Sequence, residues 1–189
     1  MGLLDLLSTE CSVHPSAILW LSVLGYLHPR IVLPFLLSVL LHEAGHYLCL
    51  RALGQPPRRV IFSLSGARME TPPLSYRQEF LTALSGPAAS LLVGLTLPWF
   101  PMLGGYSLCL CLFNLLPLGN LDGGRMLRCL LLLHVEDRLA RRIFRAVNVL
   151  TGVLLLLPGL YCSVCAHMGL WPLLITGVLL YKALTAGLL

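Results

Sequence analysis

Residues 40–50 read LLHEAGHYLCL: two histidines and a glutamate set among leucine, alanine, cysteine and tyrosine. Outward from this stretch the apolar run covers about residues 30–53, long enough to cross a bilayer, which takes about 20 residues. Ionisable side chains inside such a span are costly and mark function. The rest of the chain asks for the same solvent. Of its 189 residues 57% are hydrophobic and only 11% charged, against about 25% charged in an ordinary soluble domain.

The chain is therefore expected to be an all-α polytopic membrane protein, one domain over 1–189, with about six transmembrane helices. The segments are about 14–27, 30–53, 78–101, 104–134, 138–158 and 168–187. The fourth is overlong and is interrupted between Pro117 and Gly124, residues that break helices, so it is expected to be two half-helices with an irregular joint. A secretory signal peptide fits poorly, because the first residues lack a basic region and contain Asp5 and Glu10. The stretch VIFSLSGARME is rich in β-branched and aromatic residues, with Ser65-Gly66 as a turn. It predicts a small hairpin near 60–70, with an irregular amphipathic loop as the alternative.

Basic residues set the orientation. Arg51, Arg58, Arg59, Arg68 and Arg77 flank one connection, and Arg125, Arg128, Arg138, Arg141, Arg142 and Arg145 flank another. With Lys182 these make twelve of the thirteen Lys and Arg on one side, leaving Arg30 opposite. That side is expected to be the cytoplasm and to hold the hairpin and both termini. The same distribution excludes nucleic acid as a partner, since the +5 net charge forms no aromatic-interleaved patch. The seven cysteines read as small hydrophobes, with Cys162 and Cys165 (C-x-x-C) open to a disulfide or weak metal site.

His42-Glu43-Ala44-Gly45-His46 has the form H-E-x-x-H. On a helix, positions i and i+4 share a face, so both imidazoles reach one ion while the glutamate stands beside the open coordination position. Zinc bound this way lowers the pKa of its water, and Glu43 is the base that takes the proton. A catalytic site needs a third protein ligand. Of the eight acidic residues, Asp5, Glu10, Glu70, Glu79, Glu136 and Asp137 fall near termini or loops. Asp122 sits instead at the break of the fourth segment, in FNLLPLGNLDGGRML. A transporter's unwound ion site is the rival reading of that joint.

HEAGH, followed about 70 residues later by Asn114 to Gly123 in the pattern N-x-x-P-x-x-x-L-D-G, resembles the site-2 protease family of intramembrane zinc metalloproteases. SGPAAS (85–90) is similar to that family's G-P-x-x-N motif, with Ser90 where Asn is usual. The resemblance covers about residues 30–134. It implies His42, His46 and Asp122 as ligands of one zinc ion and Glu43 as general base. It also implies a substrate-positioning or oxyanion role for Asn114, which on residue grounds alone reads equally as a helix-break amide. The hairpin is similar to the family's membrane-edge strand, to which an unwound substrate adds. The compact six-span form looks most like the bacterial sporulation protease that processes a sigma factor, here without a CBS domain.

The implied activity is zinc metalloendopeptidase action on a membrane-associated protein in a bacterial cell membrane, such as a pro-sigma factor or another membrane-tethered regulator. This is regulated intramembrane proteolysis. The implied partners are that substrate, the lipid bilayer and a membrane regulatory protein. The competing classes are a catalytically inactive zinc-binding membrane scaffold and an ion transporter.

Overall fold

The computed structural model describes residues 10–63, 66–119, 121–167 and 169–185. The chain divides into two compact units, Met1–Leu112 and Phe113–Leu189.

The first unit opens with strand β1 (Glu10–Val13) and helices α1 (Pro15–Leu27) and α2 (Pro29–Ala52). Both helices carry proline in the first turn, where a missing N–H costs nothing. Just beyond α2, Gly54 takes a left-handed φ of 71°, and Pro56 and Pro57 follow. Strands β2 (Arg59–Ser63) and β3 (Gly66–Glu70) then pair antiparallel, Arg59 opposite Glu70 and Ile61 opposite Arg68. This is the expected hairpin; of its Ser65-Gly66 turn, Ser65 lies outside the described residues.

β1 joins the other edge of β2 in parallel, Glu10 opposite Arg59, giving the sheet order β1-β2-β3. That strand was not expected. Four residues, ECSV, carry no hairpin partner of their own, and parallel pairing arises only when the chain returns after α2. Helix α3 (Tyr76–Gly94) starts at a capping box in which Ser75 and Gln78 satisfy each other's backbone N–H. Helix α4 (Pro101–Asn114) packs on α2 through a hydroxyl chain. Ser107 Oγ donates to Ser38 Oγ at 3.1 Å, and Ser38 Oγ lies 3.2 Å from the Leu103 carbonyl.

The second unit begins at the end of α4 and contains α5 (Asp122–His134), α6 (Asp137–Val164) and α7 (Trp171–Thr185). The expected fourth segment is thus two helices with an irregular joint between them, described over 115–119 and at 121, as Pro117 and the glycines predicted. Small residues bring α6 against α7: a side chain at Gly152 would meet Leu180 and Ala183, and one at Gly159 would meet Thr176.

Burial runs opposite to that of a water-soluble protein. The fully buried positions are largely small or polar: Ser38, Ala83, Ser90, Ser107, Cys129, Ala140 and Asn148. The large apolar residues point outward, on α7 as Trp171, Leu174, Ile175, Val178, Tyr181 and Leu184. An apolar surface of that extent belongs in lipid, where close packing of small residues and hydroxyl hydrogen bonds replace a hydrophobic core. Two described helices, α2 and α6, are long and apolar enough to cross a membrane by themselves. α4 has 14 residues, about 21 Å of helix against a hydrocarbon core of about 30 Å, so length alone does not make it a span. Lys182's side chain and both termini, on which the orientation partly depended, lie outside the described residues.

Candidate metal centre

His42 and His46 sit one turn apart on α2 and are both buried. Gly45, between them, is required by the approach of α3, because a Cβ there would stand 2.5 Å from the Ser85 carbonyl and 2.7 Å from Ala89 Cβ. The close approach delivers three positions of α3, spaced by four, to the two imidazoles. The Thr82 carbonyl lies 2.7 Å from His46 Nδ1, and Ser90 Oγ lies 2.8 Å from His42 Nδ1. Gly86 lies midway. A side chain there would overlap the His46 ring and approach His42 Nε2 to 2.9 Å. Ser85 Oγ donates to the same Thr82 carbonyl at 2.6 Å, steadying it.

With both Nδ1 atoms engaged by α3, the Nε2 atoms remain and face each other at 3.2 Å. Two nitrogens about 2.0–2.1 Å from one tetrahedral zinc ion would stand about 3.3 Å apart. The imidazole pair therefore fits a zinc ion, and Nδ1 partners of this kind are how metal-ligating histidines are usually oriented. Glu43, the next residue along α2, is half-buried.

Asp122 and Asn114 belong to the second unit. Asp122 is the first residue of α5 and is buried; its carboxylate favours the positive end of the helix dipole and pairs with Arg125 at 3.5 Å. The two glycines after it are dictated by the joint. A Cβ on Gly123 would overlap the Leu115 carbonyl, and one on Gly124 the Leu118 carbonyl. Asn148 of α6, 1% exposed, fixes this turn: its Oδ1 accepts from Gly119 N–H at 2.6 Å and its Nδ2 donates to the Phe144 carbonyl at 2.9 Å. Asn114 ends α4 and is half-buried. All seven cysteines are free thiols, Cys162 half-buried and Cys165 exposed near the end of α6.

Sequence reasoning passed over Thr82 and Asn148, and left Gly86 and Ser90, both within SGPAAS, without a role. A signal for Asn148 was present, because a lone amide within an apolar span is rarely idle. For Thr82 no side-chain signal exists, since its backbone does the work.

Comparison with known proteins bears on what such a chain is. Residues 96–158, which include Asn114 and Asp122, match the sequence model of Peptidase family M50. A curated Synechocystis protein, provisionally named a zinc metalloprotease, is 36% identical over 107 residues; the match covers 48% of this chain and 28% of that protein. The chain thus spans under a third of that relative's length. The site-2 protease of Methanocaldococcus jannaschii has the same fold, with a TM-score of 0.67 over 95% of this chain and 91% of that one at 21% identity. One segment of the chain thus carries the M50 peptidase sequence pattern, and the chain has the fold of a site-2 protease. The histidine pair is spaced to hold zinc.

Proposed function

We propose that this chain is a zinc metalloendopeptidase that hydrolyses a peptide bond of a membrane-associated protein, inside or at the edge of the bilayer. The observation that carries the reading is the pair of buried imidazoles, each held at Nδ1 by α3, with their Nε2 atoms 3.2 Å apart. One ion would be held by His42, His46 and Asp122. Asp122, a buried carboxylate, would complete that donor set to the three protein ligands of a hydrolytic zinc site.

When bound, zinc would supply a Lewis acid for the scissile carbonyl and a water of lowered pKa. Glu43 would take the proton of that water and return it to the leaving amine. The exposed edges of the β1-β2-β3 sheet offer backbone N–H and C=O groups to a substrate that has unwound into an extended strand. Asn114, an amide at the end of α4, would donate to the negative charge developing on the carbonyl oxygen. The apolar residues around the motif keep bulk water from the bond until a strand is presented.

The whole chain, 1–189, would act as one domain with six spans, α4 and α5 counted together. The hairpin, the arginine-rich connections and both termini would face the cytoplasm of a bacterium. Its substrate would be a membrane-tethered regulator such as a pro-sigma factor, cut in regulated intramembrane proteolysis such as that of sporulation, under control of a membrane regulatory protein.

The test is Glu43→Gln in the full chain, co-expressed with candidate membrane-tethered pro-proteins. The variant should lose cleavage by about 10²-fold or more, the order contributed by a general base, while zinc content stays at that of the wild type. Undiminished cleavage by Glu43→Gln overturns the reading. Zinc flux into vesicles without any cleavage would make the chain a transporter instead.

A further inference from the structure

His46 and His42 are held by unlike partners. The Thr82 carbonyl can only accept, so His46 carries its proton on Nδ1 and its lone pair on Nε2. The partner of His42 is a hydroxyl, which can either donate or accept, so its hydrogen bond orients the ring without dictating the tautomer. Ser90 is 1% exposed and His42 4% exposed, so little water competes for this contact.

We propose that Ser90 is a positioning residue for zinc, its hydroxyl accepting the Nδ1–H of His42 and so aiming the Nε2 lone pair of that imidazole at the ion. The proposal rests on the zinc reading above. Without the hydroxyl, the buried Nδ1–H loses the Ser90 contact that orients the ring. Partners of this kind govern metal affinity by about 10–100-fold. The other imidazole is backed by a main-chain carbonyl that no substitution removes, so position 90 is where the sequence can tune the site.

The experiment measures Zn²⁺ affinity of the full-length protein in detergent, by competition with a chromogenic chelator, for wild type, Ser90→Ala, Ser90→Cys, Ser90→Thr and His42→Ala. Ser90→Ala should bind Zn²⁺ about 10–100-fold more weakly. Ser90→Cys, close in size but a poor acceptor, should follow Ser90→Ala, whereas Ser90→Thr, which keeps the hydroxyl, should bind within a few-fold of wild type. The visible absorption of Co²⁺-loaded protein should change in the same order. Grouping of Ser90→Cys with wild type would reduce Ser90 to a packing role and overturn the proposal. So would wild-type affinity in Ser90→Ala while His42→Ala binds none, an outcome that leaves the zinc reading standing. Wild-type affinity in His42→Ala would remove both.

Discussion

The carbonyl oxygen of Thr82 accepts the Nδ1–H of His46 at 2.7 Å. Because a carbonyl cannot donate, this one contact sets the tautomer of a histidine on α2 from a backbone atom of α3. It requires the two helices to lie closer than ordinary side chains permit. Gly45 on one helix and Gly86 on the other make that approach, and each is blocked by a single methyl.

Gly86→Ala is therefore expected to disable the metal site without unfolding the chain. The added Cβ overlaps the His46 ring and crowds His42 Nε2, so either the helices part or the rings turn away. Overpacking of this kind costs about 1–3 kcal/mol of stability. Zinc content measured by plasma mass spectrometry should fall at least tenfold, with far-UV helicity unchanged. Full zinc occupancy in Gly86→Ala would show that the rings are not confined as described.

Asn148→Ala should loosen the joint that precedes Asp122. It removes the acceptor of the Gly119 N–H and leaves that group without its side-chain partner, at a cost of about 1–3 kcal/mol. Hydrogen exchange over residues 115–121 should speed up, and the thermal midpoint should drop by several degrees. Unchanged exchange there would mean the turn is held by its own backbone.

Val178→Arg separates a lipid-facing α7 from a water-facing one. Val178 is exposed in the middle of that helix. In lipid the substitution costs about 2.5–3.5 kcal/mol of insertion free energy, whereas at a water-exposed position it falls within about 0.5 kcal/mol of neutral. The fraction of α7 inserted, read from a glycosylation reporter fused after it, should fall severalfold. No change would place α7 outside the bilayer.

Much of the site was legible because H-E-x-x-H is local. The spacing of His42 and His46 puts both rings on one face of any helix that contains them, and α2 realises that geometry with no help from distant residues. The break between α4 and α5 was legible for the same reason, since Pro117, Gly119, Gly123 and Gly124 act on their own backbone. Strand β1 was not legible, because its hydrogen bonds go to a segment some fifty residues away. The number of spans was not settled by hydropathy either. The segment of 104–134 exceeds a bilayer in sequence, yet its two helices are 14 and 13 residues long.

By itself, then, the sequence determined the solvent, the helical class, the histidine pair with its glutamate, and the resemblance of HEAGH with the later Asn114–Gly123 motif to the site-2 proteases. All of these follow from composition or from short motifs, each made of residues within a few positions of one another. Only the tertiary structure decided what holds the imidazoles. Thr82, Gly86 and Ser90 lie some forty residues from the histidines they serve, and one acts through a carbonyl, one through the absence of a side chain. Neither a backbone oxygen nor an empty space has a letter in the sequence; both become visible once α3 is laid against α2.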